Sequence, residues 1–220
     1  MITRLLIVFA VFVSIGSANA SEKARTVDWE TLIPASTPLK NPLAHLKMDR
    51  QVEIEVLANI RRAQQQGLIT EVDYRYEEGI EIAHKLKTMG LDVDDLVAKY
   101  ETLRQEIERR NADVVDELDG TLIRMPGYAL PFEFNETAIT EFLLVPYVGA
   151  CIHVPPPPAN QTVFVQLSQS YKTKSLYEPV WVTGRVKVKR TNRSLSFVDG
   201  NAPIEAGYTL EDVSIEPYKQ

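Results

Sequence analysis

The spacing of apolar residues along this chain changes once, and that change constrains the fold more than any other feature. From Met48 to about Leu118, apolar residues recur every three to four positions, which is the spacing of an amphipathic helix. From Asp119 onward they alternate with polar residues, which is the period of a half-buried strand. A helical region followed by a strand region predicts an α+β protein.

Two glycines divide the helical region. Gly67 and Gly90 are placed to end the first and second helices, and Asp92 is placed to cap a third. The predicted buried stripes are Val52, Val56, Leu57, Ile60 and Ala63 in the first helix, Ile80, Ala83, Leu86 and Met89 in the second, and Leu96, Tyr100, Leu103 and Ile107 in the third. We therefore expect residues 48–118 to form a helical hairpin or a small bundle.

Residues 119–220 are expected to form a small antiparallel β-barrel of the oligonucleotide/oligosaccharide-binding (OB) type, with a small sandwich as the alternative. Asp119-Gly120 marks a turn. Pro126-Gly127 predicts a bulge or a sharp bend, and such bends in short strands are typical of small barrels. The predicted strands cover residues 122–125, 127–134, 139–147, 162–167, 180–189 and 213–218.

The N-terminus has the pattern of an export signal. Arg4 precedes an apolar core at residues 5–13, and Ala18-Asn19-Ala20 has the small residues of a signal-peptidase site. The apolar core is short for a membrane span, and no second stretch of that length follows. We expect residues 1–20 to be removed and the rest to be a periplasmic protein that does not span the membrane. An N-terminal membrane anchor is the alternative.

Residues 21–47 are rich in proline and lack a clear period, so we interpret them as an extended arm. Trp29, Leu32 and Ile33 give this arm an apolar cluster with which to dock on the folded body.

Composition excludes some functions. The formal net charge is −6, and an acidic protein is poorly suited to bind the phosphates of nucleic acid. The chain has 1 cysteine, which cannot form an internal disulfide, so the fold depends on its apolar core.

That cysteine lies close to a histidine. If residues 139–153 continue as a strand, Cys151 and His153 leave it on the same face, since they are two positions apart. Three interpretations follow: a buried structural pair, two ligands of zinc or copper, or a nucleophilic thiol activated by imidazole. A zinc site needs further ligands, and the candidates are His45, His84, Glu133 and Glu141.

Four prolines follow at residues 155–158 and predict a rigid polyproline II segment, because proline cannot donate to a strand ladder. This segment either caps the fold or forms a ridge beside Cys151 and His153 for a partner. The candidate binding residues in and around it are Tyr147, Pro155, Pro156, Asn160 and Gln161.

Residues 149–161 read G-A-C-I-H-V-P-P-P-P-A-N-Q. This segment resembles a bacterial family of exported proteins known only as a domain of unknown function, whose hallmark is G-A-C-I-H-x-P-P-P-P-x-N-Q. Other segments fit the same pattern: 29–34, 126–131, 141–148, 179–184 and 215–218. The resemblance covers most of residues 119–218 and leaves the helical region outside it.

The resemblance implies a small β-barrel domain without an assigned activity. Some members of that family are encoded beside ABC-transporter components, in a few cases within zinc-responsive gene sets. This context implies metal handling or a transporter-accessory role.

We therefore expect a non-enzymatic periplasmic binding or adaptor protein that presents residues 151–158 to a metal ion, zinc or copper, or to a transporter protein of the periplasm or inner membrane. The alternative is a thiol-dependent or metal-dependent enzyme centred on Cys151 and His153.

Overall fold

A computed structural model of the protein describes residues 22–132, 138–151, 155–173, 175–197 and 200–218. Its elements in chain order are strand β1 (Arg25–Thr26), helices α1 (Met48–Gln65), α2 (Tyr74–Thr88) and α3 (Val93–Ala112), and strands β2 (Leu122–Pro131), β3 (Ile139–Val145), β4 (Val163–Tyr171), β5 (Glu178–Phe197) and β6 (Gly200–Pro217). The protein is therefore of the mixed α+β class that the change in apolar spacing predicts. The predicted export signal lies outside the described residues. Among the described helices, none is long and apolar enough to cross a membrane.

The three helices pack on a core of their own, which also takes in Leu43 from the arm. Asp92 caps α3 as predicted, because its carboxylate accepts a hydrogen bond from the backbone N–H of Asp95 at 3.2 Å. The buried side chains of this core are Leu43, Ile54, Leu57, Ala58, Leu86, Val93, Leu96 and Val97.

The predicted stripes are correct at their centres and wrong at their margins. Leu57, Leu86 and Leu96 are buried, whereas Val52 and Ile80 are exposed. Met89 and Ile107 are exposed as well, and Ile54 is buried instead of Val52. The reason is that α1 contacts both α2 and α3, so its buried face is centred on residues 54–58 rather than on the stripe that includes Val52.

Five of the strands pair in a closed ring. They follow the order β2-β3-β4-β6-β5, and β5 pairs back onto β2. The prediction of a purely antiparallel sheet is wrong, because β4 and β6 are parallel, with Val163 opposite Tyr208. Strand β1 also pairs in parallel, beside β2. The order of the strands explains the parallel pairing of β4 with β6. After β4 the chain turns back along β5, and because β6 is antiparallel to β5, it runs in the same direction as β4.

Two predicted strand details are also corrected. Strands β5 and β6 form a hairpin whose strands include residues 190–197 and 200–212, where the sequence predicts no strand. Pro126-Gly127 forms no bulge, since the pairing of β2 with β5 is regular from Leu122 to Ala129. Glycine is needed there for a close approach: a Cβ atom on Gly127 would lie 2.7 Å from Cγ of Leu144 and 3.0 Å from Cζ2 of Trp29.

Strand side chains alternate between two apolar cores. Phe142 and Leu144 of β3 point into the first core, together with Val163 and Val165 of β4. The residues between them, such as Leu143, point into a second core on the opposite face. That second core contains Leu130, Leu143, Val145, Ala150, Cys151, Phe164, Tyr177, Ile204 and Ala206. Both faces of β3 are therefore buried, which explains its nearly continuous apolar sequence.

The arm is fixed to the ring by one buried tyrosine. The hydroxyl of Tyr208 donates a hydrogen bond to the carbonyl of Leu32 at 2.7 Å and accepts one from the backbone N–H of Val115 at 2.7 Å. Leu32 is itself buried in the first core. A single side chain of β6 therefore holds both the arm and the segment that follows α3.

We expect Tyr208→Phe to lower the free energy of unfolding by about 1–3 kcal/mol, because two buried backbone groups lose their hydrogen-bond partner. Urea denaturation measures this change. Tyr74→Phe is the matched control, since Tyr74 is 78% exposed, and it should leave stability unchanged. Equal stability of the two variants would contradict a structural role for the Tyr208 hydroxyl.

Candidate binding site

Cys151 does not lie in a strand. Strand β3 ends at Val145, and Cys151 occupies a turn with a φ of 68°, in the left-handed region. The prediction that a continuing strand places Cys151 and His153 on one face is therefore wrong for Cys151. The reason is a turn around Gly149, which also has a positive φ. His153 lies outside the described residues.

The thiol of Cys151 is enclosed by the second core. Its side chain is buried, and burial raises the pKa of the Cys151 thiol to about 11. Beside it, the hydroxyl of Tyr177 donates a hydrogen bond to the carbonyl of Ala150. Because the thiolate is the nucleophilic form, this environment disfavours a nucleophilic role for Cys151 near neutral pH, and the enclosure of the side chain leaves little room for a metal ion beside it.

The proposed co-ligands do not gather around Cys151 in the part of the chain that the structure describes. Glu141 forms an ion pair with Arg193 at 2.6 Å. Within the described ranges, no group of three or more His, Cys, Asp or Glu side chains is placed to hold a metal ion.

The proline segment divides into an exposed and a buried part. Pro155 and Pro156 are exposed, whereas Pro157 is buried. The side-chain amide of Asn160, which is buried, donates a hydrogen bond to the carbonyl of Arg110 at 2.8 Å. The amide of Gln161 donates one to the carbonyl of Trp29 at 2.8 Å. Both amides therefore join α3 and the arm to the ring.

Another surface emerges from the strand register. Tyr128 of β2 lies opposite Pro179 of β5, and Pro126 lies opposite Trp181. In turn, Trp181 lies opposite Glu216 of β6. Since residues two apart in a strand share a face, these side chains form rows across one face of three neighbouring strands. We call this surface the motif face, and its apolar residues are Pro126, Tyr128, Pro146, Pro179, Trp181 and Tyr218.

The motif face contains a small notch. It has a volume of about 180 Å³ and is lined by Pro126, Gly127, Tyr128, Pro146, Pro179 and Tyr218. These residues come from four separate segments on which the family resemblance rests: 126–131, 141–148, 179–184 and 215–218. Chain segments far apart in sequence therefore meet at one exposed place.

Trp181 is held in place by its neighbours. Its ring stacks on Tyr218 with centroids 5.7 Å apart and an angle of 15° between the planes. The guanidinium carbon of Arg124 lies 4.0 Å from the ring centroid, and Arg124 also forms an ion pair with Glu216 at 3.0 Å. These four side chains form a connected, ordered edge to the notch.

The sequence predicts Tyr147 of this region as a binding residue, and its side chain is 43% exposed beside Pro146. The sequence does not distinguish Tyr128 and Trp181 from the aromatic residues of the core. One signal was available for Trp181: Val180 and Val182 are both buried in the first core, so alternation directs the residue between them outward.

The fold and the site together define a class of protein: a mixed α+β chain with a closed ring of five strands and an exposed aromatic and proline surface on that ring. A family model described as "Protein of unknown function (DUF3299)" matches residues 29–217, and the chain belongs to this family. The match includes residues 48–118, so the expectation that the helical region lies outside the family resemblance is wrong. A crystal structure of a DUF3299 family protein from Pseudomonas aeruginosa PAO1 is similar to this chain, with 29% sequence identity over 90% of this chain and 99% of that chain and a TM-score of 0.46. No curated protein matches the chain.

Iodoacetamide should alkylate Cys151 slowly at pH 8 in native buffer, because burial keeps the thiol protonated and enclosed. The reaction should become fast once denaturant is added. Mass spectrometry over time measures the alkylated fraction, with glutathione in the same tube as the control for reagent activity. Rapid alkylation of the native protein would contradict the buried position and would favour the thiol enzyme.

The protein should lose stability in alkaline solution. Burial raises the pKa of Cys151 from 9.0 to about 11 and the pKa values of Tyr171 and Tyr177 from 10.0 to about 12. The native state therefore favours the protonated forms. Their stabilising effect is complete below pH 9 and is lost as the pH rises through 11 and 12.

Denaturation at several pH values between 8 and 12 tests this effect, a range that spans the unfolded and folded pKa values. Tyr177→Phe should flatten the decline, whereas Tyr147→Phe, at an exposed position, should follow the original protein. If the stability of Tyr177→Phe falls with pH as steeply as that of the original protein, ionisation of Tyr177 does not contribute to the loss.

Proposed function

We propose that this protein is a non-enzymatic binding or adaptor protein of the periplasm and that it contacts a protein partner through the motif face. The observation that carries this proposal is the convergence of four separate motif segments on one exposed notch. Packing of the apolar cores already explains why the buried residues of the motif segments are needed. Tyr218 is exposed and Tyr128 and Trp181 are half-buried, and aromatic residues that reach solvent together at one surface are better explained by recognition.

The size of the notch favours a protein partner over a free metabolite. Pockets for small molecules usually have volumes of roughly 300–1,000 Å³, whereas this notch has about 180 Å³. It is large enough for one or two side chains of a partner. Aromatic residues and an arginine, here Tyr128, Trp181, Tyr218 and Arg124, are the residue types that dominate protein interfaces.

The partner that we propose is a component of a membrane transporter or a protein bound to one. The ring is the part of the chain that the sequence predicts as an OB-like barrel, and we propose that it serves as the rigid platform for this contact. The helical region adds a second surface, which carries exposed apolar side chains such as Val72, in the turn before α2, and Ile80. Zinc or copper handling is the weaker form of the proposal, because it requires the enclosed thiol of Cys151 as a ligand.

Site-specific photocrosslinking in the native host tests the proposal. Tyr218→p-benzoylphenylalanine places the crosslinker on the motif face, and Tyr74→p-benzoylphenylalanine places it on the exposed start of α2 as a control. We expect a discrete adduct from position 218 that is absent from position 74 and disappears when Trp181→Ala is added. Mass spectrometry then identifies the partner.

The proposal fails if position 218 gives no adduct, or if both positions give the same adducts. It also fails if the position 218 adduct persists at full yield in the folded Trp181→Ala variant. Thermal denaturation of each variant establishes that the comparison is made between folded proteins.

A further inference from the structure

We propose that the ligand of the motif face is an extended, proline-rich peptide segment that carries a basic residue. This inference rests on the proposed function and adds the chemistry of the segment that the partner presents.

The first argument is the shape and composition of the notch. Its walls are the rings of Tyr128 and Tyr218 and the prolines Pro126, Pro146 and Pro179. Polyproline II segments dock in shallow grooves lined by aromatic side chains, and they lose little conformational entropy because they are already extended. A notch of about 180 Å³ suits one or two such rings of a ligand.

The second argument is the state of the backbone beneath the notch. At Tyr128 and Ala129, strand β2 pairs with β3 on one side and with β5 on the other, so the backbone there is used in two ladders. A ligand therefore cannot add as another strand beside Tyr128 and is recognised there through side chains. Polyproline II segments make no internal backbone hydrogen bonds and are recognised in this way, since the hydroxyls of Tyr128 and Tyr218 can donate to their carbonyls.

The third argument is charge. Glu216 lies opposite Trp181 on the motif face, and its side chain is 66% exposed even though it pairs with Arg124. The protein as a whole carries a net charge of −6. An exposed carboxylate on an acidic protein favours a lysine or arginine at one end of the ligand, both for the local pair and for attraction at long range.

Polysaccharides are the other polymers that bind aromatic surfaces, and the geometry of Trp181 speaks against them. A sugar stacks on a free ring face, but Trp181 has the guanidinium of Arg124 at 4.0 Å from its centroid and Tyr218 stacked at 5.7 Å. The contacts that order Trp181 therefore use the ring surface that a sugar would need.

The test uses the full mature chain and two synthetic peptides. The first is a decaproline with an arginine at each end. The second keeps both arginines and replaces the prolines by alternating alanine and serine, so charge and length are matched. Isothermal titration calorimetry measures affinity. We expect saturable binding of the proline peptide and at least about tenfold weaker binding of the second.

Variants locate the site. Tyr218→Ala should weaken binding of the proline peptide at least about tenfold, because it removes an aromatic wall of the notch. Trp181→Ala should also weaken it, because it removes the ring on which Tyr218 stacks. Tyr74→Ala, at an exposed position away from the ring, should bind as the original protein does. Tyr218→Ala keeps the test valid if Trp181→Ala does not fold, because Tyr218 lies beyond the last residue of β6. Glu216→Gln should weaken the arginine-flanked peptide but not a decaproline with uncharged ends.

The inference is overturned if the proline peptide does not bind saturably, binds no better than the matched peptide, or binds Trp181→Ala and Tyr218→Ala unchanged. Binding of a peptidoglycan fragment in its place, lost in Trp181→Ala, would also overturn it. If these titrations fail while the position 218 crosslink to a protein persists, the proposed function stands and only the ligand class is wrong. If the crosslink fails as well, both are wrong.

Discussion

The two hydrogen bonds of the Tyr208 hydroxyl are the constraint on which the rest of the structure depends. They join β6 to the arm at Leu32 and to the segment after α3 at Val115. Asn160 and Gln161 reinforce the same junction through the carbonyls of Arg110 and Trp29. Backbone groups from two distant parts of the chain, the arm and the end of α3 with the segment after it, find their hydrogen-bond partners here, so these side chains fix how the helices and the arm meet the ring.

Strand β5 contributes side chains to the first core on one face and to the motif face on the other, and this explains why the side chains of the motif face are ordered. Val180 and Val182 of β5 fill the first core, while Trp181 between them points outward and is ordered by Arg124 and Tyr218. A half-buried aromatic ring on a strand whose other face is fully buried has little freedom to move. A ligand that binds there meets a preformed surface and loses less free energy to ordering.

The sequence predicts much of the local structure because its signals are local. The helical region, the cap at Asp92 and most strand positions follow from spacing and from single residues. The parallel pairing of β4 with β6 does not, since it joins strands separated by the whole of β5. The outer part of the β5–β6 hairpin was missed because residues such as Arg190, Asn192 and Arg193 interrupt the apolar alternation.

The motif face does not follow from the sequence, for a related reason. The sequence predicts a site at Cys151 and the prolines, which lie close together in the chain. The motif face is assembled from Tyr128, Pro146, Trp181 and Tyr218, which come together only through strand register. Each of these residues looks like an ordinary core residue when its neighbours in space are unknown.

The distance along the chain between the partners of Tyr208 has a consequence for the order of folding. The hydroxyl and the carbonyl of Leu32 are separated by 176 positions. Contacts across such separations form slowly, since a long loop must close first. While the chain is being made, the arm is among the first segments to emerge, but the hydrogen bond from Tyr208 to Leu32 cannot form until β6 has been made. A chain cut short before Tyr208 therefore leaves the ring open and the arm without this attachment, so a truncation at the C-terminal end also changes the N-terminal end.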